Sequence, residues 1–314
     1  MMVLRAAALI LMPVLQAEFA YAKTYGIVVS GLGGDPDYAE SFSSSSQSIA
    51  SGLRSLQSDS SLIISLGQGA TRQDILDAIA RQSQRMTDEQ TDLTGDSVLV
   101  LVLVGHGNAG QDGWRFNVSG PDINLEDLIA ALNSVSVSKQ LVVLGASASG
   151  AALDALSQLG RVVLTATKSG GEINASRFHQ YFGEAMLSDV ADYDRNEILT
   201  VAEAYRFAET RTIEYYEQQN LLASEHSRLR GDMADEIAIA LLGSLRDARD
   251  DPTVASLLDE RLLLEQTFNS LKERKDDMPI DNYYQELEEL LLSIAQLQQS
   301  IDEVTGWSDK DAGS

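Results

Sequence analysis

The sequence predicts an α/β fold with a mainly parallel sheet, and three observations carry that prediction. Short Val-rich apolar runs occur at 97–104 and 141–144; they are short for helices and apolar on both faces, as strands covered from both sides require. Segments with helical spacing alternate with them. Each run ends in polar residues set among small ones, Gly105-His106-Gly107 and Gly145-Ala146-Ser147-Ala148-Ser149-Gly150. In parallel sheets ligands bind beyond the carboxyl ends of strands, so His106 and Ser147 are expected to share a cleft.

The elements follow in order. Residues 25–30 read as a first strand that enters the turn Gly31-Leu32-Gly33-Gly34. Tyr38, Phe42, Ile49 and Leu53 recur near helical spacing within a Ser-rich stretch, which predicts a helix inside 37–55. Residues 61–65 form a second strand, and 71–86 a helix opened by Thr71-Arg-Gln-Asp74, an approximate capping box. Between the two apolar runs, 108–113 reads as a loop and 125–132 as a helix. Residues 161–167 supply a further strand, and from Arg177 onward the pattern is helical.

The C-terminal part carries two apolar stripes. Val254, Leu257, Leu264, Phe268 and Leu271 form one; Leu287, Leu290, Ile294, Leu297, Ile301 and Val304 form another with 3,4,3,4,3 spacing. Asp276-Asp277-Met278-Pro279 breaks them, so 251–305 is expected to be a helical hairpin. It packs on the parent domain or on itself; a homodimer through the hairpin is the alternative, because each stripe is long enough for a coiled-coil seam.

Composition narrows the function classes. The 314 residues include no cysteine, which excludes disulfides, thiolate metal sites and a cysteine nucleophile. The formal net charge of −24 argues against nucleic acid or anionic lipid as partner. Arg5, the apolar stretch 6–15 and Ala20-Tyr21-Ala22 have the layout of a signal peptide over 1–22. The stretch is short and contains Pro13, so no stable membrane span is expected, and the protein is expected to be exported, periplasmic or secreted. The resulting division is 1–22 signal peptide, 23–250 α/β domain, 251–305 hairpin and 306–314 flexible tail.

The strand ends together resemble the legumain (asparaginyl endopeptidase) family, whose clan includes caspases, metacaspases and the glycosylphosphatidylinositol transamidase subunit. The resemblance rests on Gly105-His106-Gly107, on Ala146-Ser147-Ala148-Ser149-Gly150 and on Leu164-Thr165-Ala166-Thr167. Glu225-His226 and Gly31-Leu-Gly-Gly-Asp-Pro-Asp-Tyr38 are similar to bacterial members, and the likeness spans roughly 25–229. It implies a caspase/legumain-like three-layer sandwich, His106 as base, and the Gly107 and Ser147 N–H groups as oxyanion donors. Where the family has its catalytic cysteine this chain has Ser147. A hydroxyl needs an aligned base to attack, so the implied activity is that of a pseudopeptidase or very weak hydrolase. The family's asparagine pocket has basic residues after the tyrosine; Tyr38-Ala39-Glu40 has none, and that preference is not carried over.

Two other readings stand beside it. One is a non-catalytic peptide-binding or assembly protein that takes a peptide or protein segment in the cleft and uses the hairpin for oligomerisation. The other is a serine hydrolase with Ser147 as nucleophile. In its α/β-hydrolase form, His179 or His226 lies downstream, but Ser149 replaces the second glycine of the nucleophile elbow and Gly105-His106-Gly107 is left without a role.

A second constellation runs from Asp192 to Glu203. Asp192, Asp194 and Asn196, the Ile198 carbonyl and Glu203 fall at positions 1, 3, 5, 7 and 12 of an EF-hand calcium loop. Helical sequence flanks it at 178–187 and 201–217. Position 6 is Glu197 where a glycine makes the sharp turn, and no second loop pairs with it. Calcium is therefore a candidate ligand, and no cofactor is required. The turn 31–34 fits no phosphate-binding pattern, and Asp35 would repel phosphate.

Overall fold

The computed structural model describes residues 23–89 and 97–305. The expected signal peptide and the expected tail lie outside the described residues. In chain order the elements are β1 (Thr24–Ser30), α1 (Pro36–Ser55), β2 (Ile63–Leu66), α2 (Arg72–Asp88), β3 (Val98–Gly105), β4 (Gly107–Gly110), β5 (Gly113–Phe116), β6 (Ile123–Asn124), α3 (Leu125–Asn133) and β7 (Lys139–Ala146). They continue with α4 (Leu153–Leu156), β8 (Arg161–Thr165), α5 (Phe178–Ala185), β9 (Ile198–Thr200), α6 (Val201–Gln218), β10 (Arg228–Arg230), β11 (Ala238–Leu241), α7 (Gly243–Ala248), α8 (Pro252–Glu273) and α9 (Ile280–Thr305).

Six strands form the central sheet in the order β10-β8-β7-β3-β1-β2, parallel throughout except for β10 against β8. The chain is thus an α/β protein with a mostly parallel sheet. The apolar runs lack polar alternation because both faces of the sheet are covered. Along β3, Val98, Val100, Val102 and Val104 enter the core shared with α1, α5 and α6, whereas Leu99, Leu101 and Leu103 enter the core shared with α2 and α3. Full burial of each such side chain contributes about 1.5–3 kcal/mol.

Local signals set the helix starts. Asp35 accepts from the Asp37 N–H and Pro36 opens α1. At α2 the capping box is complete: Thr71 accepts from the Asp74 N–H, and the Asp74 carboxylate accepts the Thr71 N–H at 2.8 Å. Aspartate therefore fills the place where glutamate is usual.

Several expectations need correction. Residues 108–113 are not a loop: β4 and β5 form an antiparallel hairpin turned at Gly113, whose φ is +89°. The alternation of Trp114 and Phe116, both fully buried, supplies its apolar face. The region after Arg177 is not purely helical, since β9 and β11 pair antiparallel and β10 joins the sheet. The strand expected to reach Thr167 stops at Thr165, whose hydroxyl donates to the Thr167 carbonyl at 2.8 Å.

α8 begins at an Asp251 cap, and α8 and α9 pack on each other. They join the body through a cluster that includes Leu56, Ile198, Leu241, Leu245, Val254, Leu258 and Ile301. Buried Arg249 pairs with Asp259 at 2.6 Å. Among the described residues no helix is long and apolar enough to cross a membrane.

Candidate functional site

The parallel register brings His106 and Ser147 together. β3 pairs with β7 from Val98↔Lys139 to Gly105↔Ala146, a constant offset of 41 residues. His106 and Ser147 are the next residues on each strand and keep the same offset, 147 minus 106 being 41. Neighbouring strands lie about 4.8 Å apart. Continuing the alternation places His106 on the face of Val104 and Ser147 on that of Gly145, toward α1 and α5.

Glycines allow the close packing of these strand ends. A Cβ on Gly107 would lie 2.7 Å from Trp114 Nε1 and 2.8 Å from the Ser147 carbonyl oxygen. The Trp114 indole N–H donates to that same carbonyl at 3.1 Å. The β4–β5 hairpin therefore anchors the backbone of Ser147. The Asn117 N–H donates to the His106 carbonyl at 3.0 Å. By antiparallel alternation the Gly107 N–H then points away from β5, where it can serve as a donor to a ligand.

The His106 side chain is held on the α1 side. Its Nε2 lies 3.2 Å from the Gly33 carbonyl oxygen, which only accepts, so Nε2 carries a proton. The ring meets Tyr38 and Phe42 edge-on, with centroids 5.0 and 4.9 Å away. Phe42 also contacts His179 at 5.1 Å. His179 is fully buried on α5 and shares a 2.9 Å hydrogen bond between Nδ1 and Ser45 Oγ. Burial, opposed by a bond to the Ser176 backbone and aided by the charges of His106 and Arg177, drives its pKa down to about 3. It is a neutral structural histidine at ordinary pH.

Ser147 is 2 % exposed, and among the described residues no hydrogen bond joins its hydroxyl to His106. The chain turns sharply after it, with Ala148 in the left-handed region at φ +55°. The Ala148 N–H donates to the Glu172 carbonyl at 2.8 Å, and the Gly150 N–H to Thr167 Oγ1 at 2.9 Å. Gly150 is pressed against the Lys168–Ser169 backbone, where a Cβ would sit 2.2 Å from the Ser169 nitrogen.

Glu172 braces the segment packed on this turn and Glu225 the start of α5, and sequence reasoning missed both roles. Glu172 accepts the Lys168 N–H at 2.8 Å and the His226 N–H at 3.2 Å, with His226 Nδ1 at 2.5 Å. Burial raises its pKa, but these bonds outweigh burial and hold the carboxyl below its usual range. Glu225 is 3 % exposed and accepts from the N–H groups of Arg177 and Phe178 at the start of α5, and from Tyr216. Burial pushes it up despite those donors. The adjacent pair Glu225-His226 was the available signal; its partners are distant in sequence.

The second constellation is also assembled. Ligand-capable oxygens of Asp192, Asp194 and Glu203 lie within 4.8 Å of one another. Asp192 accepts the Glu197 N–H at 2.8 Å, and Asn196 Oδ1 accepts the Ile198 N–H at 2.8 Å. Burial, then Glu203 and Asp192, raises the Asp194 pKa to about 6. Glu203 doubles as the third residue of the α6 capping box.

Glu197 adopts φ +62° and Arg195 +60°, so the turn forms without glycine. The Glu197 carboxylate is occupied elsewhere, accepting from Ser244 Oγ at 2.5 Å and the Leu245 N–H at 3.0 Å. β11 supplies the pairing strand that the sequence did not reveal. Buried Arg261 of α8 donates to the Asn196 carbonyl at 2.8 Å, which ties α8 to the loop. These residues suit a hard cation with oxygen ligands.

No family model and no curated protein matches the chain. Functional assignment therefore rests on the geometry above.

Proposed function

We propose that the chain is a legumain-like homologue with the caspase/legumain sandwich fold, exported, whose cleft binds a peptide segment and hydrolyses it weakly or not at all. The observation that carries this reading is the continuation of the β3–β7 register to His106 and Ser147 without a hydrogen bond between them. A serine hydroxyl requires a base in contact to attack an acyl carbon. His106 donates from Nε2 to Gly33, which leaves Nδ1 as its basic nitrogen, and among the described residues no hydrogen bond joins it to the Ser147 hydroxyl; His179 is directed at Ser45.

Binding functions survive this loss. The Gly107 N–H points away from β5, and donors of this kind hold a peptide carbonyl whether or not a nucleophile follows. The sharp turn at Ala148 supports the resemblance to a strand-end nucleophile site.

The test is a pair of measurements on the full chain. A fluorophosphonate serine probe should label Ser147 no faster than it labels surface serines. Ser147→Cys should create a thiol that reacts with an acyloxymethyl ketone peptide, and His106→Ala should slow that reaction by about tenfold or more. Strong phosphonate labelling that vanishes in His106→Ala would instead establish a serine hydrolase. An inert Ser147→Cys thiol would remove the peptidase ancestry from the reading.

A further inference from the structure

α6 and the segment that follows it enclose a pocket of about 490 Å³ whose lining includes neither His106 nor Ser147. Ile213 on α6 and Leu221 and Leu222 beyond it give apolar walls, and they are 52 %, 55 % and 95 % exposed. This volume lies within the range of ligand-binding clefts. Glu209 and Glu217, also on α6, line the same pocket. Eight residues separate them, so their backbone positions are about 12 Å apart along the helix at 1.5 Å per residue.

We infer that this pocket docks an extended peptide segment with a large apolar residue between two basic ones, in the pattern basic-x-apolar-x-basic. In an extended chain residues i, i+2 and i+4 share one face, and i to i+4 spans about 13 Å. Two cations at that spacing match the two carboxylates, with the apolar side chain directed between them. Glu209 already accepts from Tyr205 through Oε1 at 2.7 Å, which fixes its carboxylate in place.

The backbone beside the pocket favours an extended occupant. Ser227 and Arg228 line it where β10 begins, and β10 is an end strand of the sheet. An edge strand offers N–H and C=O groups to an added strand. Of the basic side chains in the lining, the Arg228 guanidinium is turned to the Ser227 carbonyl at 2.8 Å and His226 Nδ1 to Glu172 at 2.5 Å. A second copy is disfavoured as occupant because it carries the same net charge of −24.

The inference is independent of whether Ser147 reacts. Fluorescence anisotropy of a dye-labelled peptide Gly-Lys-Ser-Leu-Ser-Lys-Gly with the full-length protein tests it. Saturable binding tighter than about 1 mM is expected, weakened about tenfold by Ile213→Ser and by Glu209→Gln combined with Glu217→Gln. Ile213 and Leu222 are exposed, so Leu222→Ser serves as a second apolar variant that leaves the fold intact. Replacing both lysines of the peptide by glutamate, or its leucine by serine, should abolish binding. Equal binding of the glutamate peptide, indifference to these variants, or no saturation would overturn the inference.

Discussion

The strand ends of β3 and β7 and the loop Asp192 to Glu203 are built in opposite ways. At the strand ends the backbone is packed to contact distance, with Gly107 against Trp114 and Gly150 against Ser169, while among the described residues no base is hydrogen-bonded to the Ser147 hydroxyl. In the loop the side chains are gathered, three carboxylates within 4.8 Å, while two non-glycine residues carry left-handed backbone. The strand ends have a fixed backbone and an unengaged hydroxyl; the loop has gathered carboxylates on a left-handed backbone. Backbone geometry and side-chain chemistry are thus separable determinants of a site, and substitutions should act on the two regions with opposite sign.

The largest effect should come from breaking the cleft's frame. Gly150→Ala forces a Cβ against backbone that cannot rotate away, and should destabilise the protein by about 3 kcal/mol or more, read as a fall in denaturant midpoint. A midpoint within error of the parent would show that the 168–169 segment yields.

Acid should act next. The His179 pKa lies near 3 in the folded chain against 6.5 for the free side chain. The unfolded chain therefore binds the extra proton between these values, and stability is lost as pH falls below about 6.5. Between pH 6.5 and 4 the loss from this group is about 3 kcal/mol. His179→Gln, measured by urea denaturation across that range, should show a shallower loss; parallel curves would sink the assignment.

Calcium probes the loop. With a dissociation constant in the 10⁻⁴–10⁻³ M range of weak sites, about 10 mM calcium should stabilise the chain by about 2 kcal/mol, and a chelator should reverse it. Asp194→Asn keeps the α6 cap and should remove the response. Equal melting temperatures with calcium and with chelator would remove calcium as a ligand of this loop.

The smallest effect sharpens the contrast. Arg195→Gly relieves a left-handed residue at an exposed position and should stabilise by about 1 kcal/mol, raising the melting temperature by about 2 °C. A glycine that stabilises the loop, beside a glycine whose loss destabilises the turn after Ser147, would establish the opposite signs directly.

Much of this was legible in the sequence, for physical reasons. The Val- and Leu-rich runs announce strands covered on both faces, and the 41-residue spacing of His106 and Ser147 is the register itself. The Thr71 and Asp74 pair marked a helix start. The β4–β5 hairpin was hidden because its first strand is Gly-Asn-Ala-Gly, which carries no apolar alternation; its face comes only from Trp114 and Phe116. Glu225 as the cap of α5, Trp114 on the Ser147 carbonyl and Arg261 on the loop join residues 33 to 65 positions apart, and no local pattern encodes them. The grouping of Glu203 with Asp192 and Asp194 was legible, whereas β11 was not legible as the partner strand because Ala238 to Leu241 is too short to separate from a helix by periodicity.

The indole bond to the Ser147 carbonyl has a consequence for how such a chain changes over generations. Trp114 holds the main chain of residue 147 and makes no demand on its side chain, and Gly107 is fixed by the same contact. Serine and cysteine differ there by one atom, and the indole bond reaches only the main chain. The side chain at this position is therefore open to change by single substitution while the bond that holds its backbone stays the same.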